Sequence, residues 1–224
     1  MCTLQAIRIR FKKQGSAQYI SHLDLNRCMA RAIRRAHLPI WNTEGFNPHP
    51  YITFALPLSI FYGSVCDIMD AKLDEELPIE EVKKKLSAQM PSGIEIYDVV
   101  EPLMKIADIA FSRYEVSLEY ENKNADELNL IYKSVLEHDD LSIEKTTKHG
   151  VRIVDVKLYL TNDYARYEIK DGVIKIVAVL PSSSQENLNP SCFSAMLLKY
   201  TDLLPDFEQI TRTEIYNSEM QPFK

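Results

Sequence analysis

Four arginines form the densest concentration of chemistry in this sequence. Arg27, Arg31, Arg34 and Arg35 are spaced i, i+4, i+7 and i+8, so on a helix turning about 100° per residue they share one face. Leu25, Met29, Ala32 and Ala36 fall opposite. A row of guanidinium groups at about one per turn suits phosphate oxygens, because arginine offers a planar fork of donors and stays charged at physiological pH. A second feature follows at Gly45-Phe46-Asn47-Pro48-His49-Pro50, where two prolines stiffen a loop that presents Asn47, His49 and the Phe46 ring. If this loop folds back over the helix start, His49 meets His22 and Asp24, an acid-base or metal-ligating set in principle. Each of these groups also has a plain structural role: Asp24 as a cap partner, a loop histidine as a backbone hydrogen-bonding group. His22, His49 and Asp24 are therefore the catalytic candidates, while Trp41 reads as a packing anchor.

Other chemistries are excluded by spacing. The six glycines are scattered, so no dinucleotide fingerprint, P-loop or nucleophile elbow can be assembled. Cys2, Cys28, Cys66 and Cys192 contain no C-x-x-C pair or three-cysteine cluster, which leaves no zinc or iron-sulfur site. Ser182-Ser183-Ser184 offers hydroxyls without an activating partner. No cofactor and no protein-held metal are expected. Scattered thiols without a leader-like segment fit a reducing cytoplasm, and no apolar run approaches the roughly 18 to 20 residues that span a bilayer.

The charge is distributed unevenly. The 224 residues carry 26 basic and 32 acidic groups, a net of -6. Residues 1–50 hold eight basic groups (Arg8, Arg10, Lys12, Lys13, Arg27, Arg31, Arg34, Arg35) against Asp24 and Glu44, a net of +6, which leaves -12 on the remainder. The basic segment is the place to expect a polyanion.

The elements that position these residues are legible as periodicities. Ile7, Ile9 and Phe11 alternate with Arg8, Arg10 and Lys12, the pattern of a strand with one buried and one basic face. Ser21 and Asp24 cap a helix that ends at His37-Leu38-Pro39. Strands at Tyr51–Leu58 and Val65–Leu73, a helix at Pro78–Met90 and a strand at Ile94–Val100 complete a β-α-β-β-α-β order. After Glu101-Pro102 the pattern restarts: alternation at Tyr114, Val116, Leu118 and Tyr120, then a helix over Ala125–Glu137. Next come a strand through Val154, Val156, Leu158 and Leu160, and a Lys170–Val173 turn into a strand at Ile174–Leu180. A helix from Asn189-Pro190 to Leu204 and a strand at Phe207–Tyr216 complete the second unit. The expected fold is α+β: two tandem ferredoxin-like (βαββαβ) sandwich domains, the second with an extra β-hairpin. The expected domains are 1–103, basic, and 112–224, acidic.

The first 75 residues resemble a known family, the radical-SAM-linked domain family of unknown function. The resemblance lies in Ile7-Arg8-Ile9-Arg10-Phe11, in Tyr19-Ile20-Ser21-His22-Leu23-Asp24-Leu25-Asn26-Arg27, in Arg31 to Pro39, and in Gly45 to Pro50 followed by Ala55-Leu56-Pro57-Leu58. The chain departs from the family at Tyr51, where lysine is frequent, and at Asp67-Ile68 ahead of Asp70. Such domains are often fused to, or encoded beside, radical-SAM proteins with a cobalamin-binding region. The resemblance thus implies an accessory module with a radical-SAM partner. This chain has no C-x-x-x-C-x-x-C to hold that partner's cluster.

Together these readings predict a non-catalytic accessory protein that binds structured RNA such as tRNA or rRNA through Arg8, Arg10, Arg27, Arg31, Arg34, Arg35, Asn47 and His49. The alternatives are a metal-independent RNA-processing enzyme using His22 and His49, and a docking module for a radical-SAM partner that does not touch RNA.

Overall fold

The computed structural model describes residues 4–147, 150–183 and 185–224; Cys2 and Ser184 lie outside them. The protein is α+β, with ten strands and four helices among the described residues. It divides into two compact units, Met1–Ile109 with Asn217–Lys224, and Ala110–Tyr216.

In the first unit, β1 (Gln5–Lys13) buries Ile7, Ile9 and Phe11 completely, as period-two alternation requires. Helix α1 (His22–Arg35) starts where the Ser21 hydroxyl accepts the Asp24 backbone N–H at 3.1 Å. Its buried stripe of Leu25, Met29, Ala32 and Ile33 packs into the same core as β1. The helix stops at Ala36, and His37 follows at φ 50°. A short strand β2 (Ile52–Phe54), a long β3 (Tyr62–Leu73), α2 (Ile79–Ser87) and β4 (Ile94–Val100) follow. Pro78 opens α2, which buries Val82 and Leu86. The strands pair antiparallel, β4 and β3 flanking β1 and β2 lying on the other edge of β3.

The strand expected at Tyr51–Leu58 is only three residues long, and its partner begins at Tyr62 rather than Val65. Gly93, just before β4, sits at φ 87° against the Gln14 carbonyl, a conformation and an approach that a side chain would obstruct.

The register of the sheet decides the fate of the basic strand. Arg8 lies opposite Asp70 of β3, Arg10 opposite Asp98 of β4 and Lys12 opposite Glu95 of β4. Directly opposed residues project to the same face of a sheet, so each of these three basic side chains meets a carboxylate.

In the second unit, β5 (Ile109–Glu119), α3 (Ala125–Leu136), the hairpin β6 (Ser142–Thr147) and β7 (Gly150–Asp155), β8 (Arg166–Lys170), β9 (Val173–Pro181), α4 (Cys192–Thr201) and β10 (Phe207–Asn217) run in order. Four of these strands form the order β10-β5-β9-β8, and β6 pairs with β7. A reciprocal box between Asn124 and Glu127 opens α3. The turn between β8 and β9 uses Asp171 at φ 49° and Gly172 at φ 78°, the left-handed pair that a tight hairpin demands.

The strand expected through Leu160 ends at Asp155, and Val156–Tyr159 is a 3-10 turn. The reason is local: the Asp155 carboxylate accepts the backbone N–H groups of Lys157 and Leu141, both at 2.9 Å. Helix α4 ends at Thr201, short of Leu204, because Asp202 turns to φ 56°. No helix among the described residues is long and apolar enough to cross a membrane.

Candidate functional site

The exposed face of α1 carries Arg27, Arg31, Arg34 and Arg35, while the residues expected opposite are buried. Between this face and the turn after α2 lies an open groove of about 440 Å³, lined by Asp24, Arg27, Cys28, Arg31, Arg35, Gln89, Met90 and Pro91. Three positive charges and one negative charge face it, over a floor of Cys28, Met90 and Pro91.

Its walls are held in place from both sides. Arg35 donates from Nε to Gln89 Oε1 at 3.2 Å and from Nη2 to the Gln89 carbonyl at 2.8 Å. Arg27 reaches Asp24 at 3.4 Å, and Asp24 also accepts the Ser21 hydroxyl at 2.7 Å. Arg31, at the centre, forms no hydrogen bond or ion pair among the described residues, and neither does Arg34. An unpartnered guanidinium between two others is a site short of negative charge. Burial pushes the Cys28 thiol up from its ordinary value, and the positive charges of Arg35 and Arg31 oppose that rise.

The arginines of β1 are placed differently from expectation. Arg8 was expected on an exposed basic face and is 0% exposed. Its Nε and Nη2 donate to the two Asp70 oxygens, both at 2.8 Å, Nη1 to the Lys224 carbonyl at 2.7 Å and Nη2 to the Met104 carbonyl at 2.8 Å. The Phe223 ring lies under its guanidinium at 4.6 Å. Fully buried and with its donors turned inward, Arg8 has nothing to offer a surface ligand. Arg10 lies 3.7 Å from Asp98 and Lys12 3.1 Å from Glu95, so the outward charge of this strand is neutralised across the sheet. The exposed basic groups of residues 1–50 that remain without a carboxylate across the sheet are therefore those of α1.

His22 sits edge-on to Phe54 at 5.0 Å between ring centroids. His49 is exposed, and its Nδ1 lies 3.1 Å from both Thr43 Oγ1 and the Asn47 carbonyl. Two backbone bonds, Thr43 N–H to the His49 carbonyl and Tyr51 N–H to the Trp41 carbonyl, both at 2.9 Å, close the base of the loop. Trp41 packs against Tyr51 at 5.2 Å. Asn47 and Phe46 are exposed at the tip. The two imidazoles share no bonding partner among the described residues. No group of three or more His, Cys, Asp or Glu that could hold a metal occurs among those residues.

The sequence reading missed an aromatic pair. Tyr19 and Phe61 are 61% and 64% exposed, with ring centroids 5.7 Å apart in an edge contact. One signal was available: Leu23 stands four residues before Arg27, on the arginine face instead of the apolar one, and is 58% exposed. In the second unit, the cleft at Lys145–Arg152–Glu186 carries one net positive charge and that at Glu115–Arg166–Glu168–Lys175 none, against two for the α1 groove.

A family model described as an uncharacterized protein conserved in bacteria (DUF2344) matches residues 6–190. The match spans more than half of the chain, so the chain belongs to that family. No curated protein matches it.

Proposed function

We propose, with membership of that bacterial family as the premise, that the protein is a non-catalytic accessory that binds structured RNA such as tRNA or rRNA and assists a radical-SAM modification system in the cytoplasm. RNA docks on the exposed face of α1, on Arg27, Arg31, Arg34 and Arg35, with Asn47 and His49 on the stiff loop as further contacts. The observation that carries this reading is the open groove whose central guanidinium, Arg31, has no partner within the described chain. The radical-SAM link rests on the motif resemblance alone. We take each unit as ferredoxin-like, a reading supported by the matching orders β4-β1-β3-β2 and β10-β5-β9-β8.

The test is fluorescence anisotropy with labelled tRNA across a salt series. Four arginine–phosphate contacts give a log-log salt slope of about -3, or roughly a 60-fold loss of affinity between about 50 and 200 mM salt. Arg27→Ala with Arg31→Ala is expected to halve that slope. Absence of binding at low salt, or a double variant that binds undiminished, defeats the proposal. Co-purification of a radical-SAM protein that survives nuclease treatment would favour the docking alternative. RNA cleaved by the wild type and spared by His22→Ala or His49→Ala would favour the enzymatic one.

A further inference from the structure

We infer that Tyr19 and Phe61 form a base-stacking platform at one end of the arginine row, so that the ligand of this site is an unpaired stretch of RNA, not a duplex. The inference rests on the RNA reading of the groove and sharpens it.

The first ground is the state of the two rings. Isolated exposed apolar residues are ordinary, but these two are in contact, and Phe61 has a backbone φ of 75°. A bulky residue in the left-handed region is a strained outlier that persists only where its surroundings hold it. Here the Phe61 N–H donates to the Gln18 carbonyl at 2.8 Å, which ties the turn carrying Phe61 to the 3-10 segment Gly15–Tyr19. The backbone that carries the two rings is thus held while the rings face solvent in contact with each other, and a platform placed in advance loses less freedom when a ligand stacks on it.

The second ground is placement. Tyr19 lies two residues before the Ser21 cap, and Leu23, Arg27, Arg31 and Arg35 follow at steps of four along α1. Each step advances about 6 Å along the helix axis, close to the separation of successive phosphates on a single nucleic-acid strand. The apolar end of the stripe meets bases and the basic part meets phosphates. A positively charged groove combined with exposed aromatic rings is the general solution for single strands. A duplex keeps its base faces stacked inside and has no use for such rings.

The test uses the full chain and three fluorescent RNA probes of equal length: an unstructured single strand, the corresponding duplex, and a hairpin that displays the same single strand as its loop. At one fixed salt concentration the single strand and the loop are expected to bind at least tenfold more tightly than the duplex, although the duplex carries more charge. Phe61→Gly is expected to weaken single-strand binding roughly tenfold, the scale of one stacked base, while leaving duplex binding unchanged. Glycine accepts the positive φ, so this variant remains folded. Tyr19→Leu, which keeps apolar bulk but removes the π-face, is expected to give a similar loss. Equal or tighter binding of the duplex, with dependence on Arg31 retained, overturns the inference and leaves RNA binding standing. Ring variants that bind single strands like the wild type overturn it as well. Failure of all three probes to bind overturns both.

Discussion

Replacing Asp70 by asparagine isolates the buried charge of Arg8. The Arg8 side chain is 0% exposed and that of Asp70 23%, so the substitution leaves a guanidinium in the interior without its counter-ion. Asparagine retains one acceptor for Nε but places an amide donor where Nη2 also donates. Removing one partner of a buried pair costs about 3–5 kcal/mol, and the partial exposure of Asp70 points to the lower end, about 3 kcal/mol. Arg8→Met is expected to cost a comparable amount, about 3 kcal/mol, since it leaves the largely buried Asp70 carboxylate without its counter-ion and orphans the Met104 carbonyl. The Lys224 carbonyl loses less, because it also accepts the Met104 N–H at 3.0 Å. The double variant should cost well below the sum, because neither charge is then left alone. The one tryptophan, Trp41, lies in the first unit, so its fluorescence in a urea titration reports that unit. About 3 kcal/mol corresponds to a fall in Tm of roughly 6–12 °C for a chain of this size. A cost below about 1 kcal/mol for Asp70→Asn, or simple additivity in the double variant, refutes the account of Arg8 as a buried charge dependent on Asp70. RNA affinity should be unchanged in Asp70→Asn, since the pair faces no ligand.

Two further outcomes follow from local geometry. Gly93→Ala would place a Cβ 2.5 Å from the Gln14 carbonyl oxygen and 2.9 Å from the Ala17 Cβ, at φ 87°; the expected cost exceeds about 2 kcal/mol, read by the same urea titration. The Cys28 thiol, raised above its ordinary 9.0 by burial, should alkylate more slowly than free cysteine at neutral pH, with a rate still rising beyond pH 9 as thiolate forms. If RNA docks as proposed, it masks Arg31 and Arg35, the charges that pull this thiol down, and should slow the reaction further; peptide mass mapping follows the site. Unchanged alkylation at saturating RNA would place the ligand elsewhere.

What was legible in the sequence was what neighbours in sequence decide. Ser21, Asp24 and the stripe from Leu25 to Ala36 fix α1 within one stretch of chain, and the structure returns that helix with its arginines outward. Arg8 was misread because alternation says only that it points away from Ile7 and Ile9. What lies on that side is set by Asp70, 62 positions away, and Lys224, 216 positions away. The groove wall at Gln89–Pro91 is likewise supplied by a turn distant in sequence. Val156 shows the opposite error: a correct alternation was overridden by one carboxylate, Asp155, that captures the next backbone groups. His22 and His49 share a motif-rich stretch, yet Phe54 and Thr43 engage them separately.

The discontinuity of the first unit has a consequence for how the chain acquires its structure during translation. Residues 110–216 form the second unit as an uninterrupted stretch, so its internal contacts wait for no residue beyond 216. The first unit has to hold its place open meanwhile. Arg8 emerges early and has Asp70 within reach once α1, β2 and β3 have been made, and the Met104 carbonyl before the second unit begins, but the Phe223 ring and the Lys224 carbonyl arrive only after the whole second unit has been made. Loop closure over so long a separation is entropically slow. Until then the nascent first unit holds a cation in its sheet that is only partly covered.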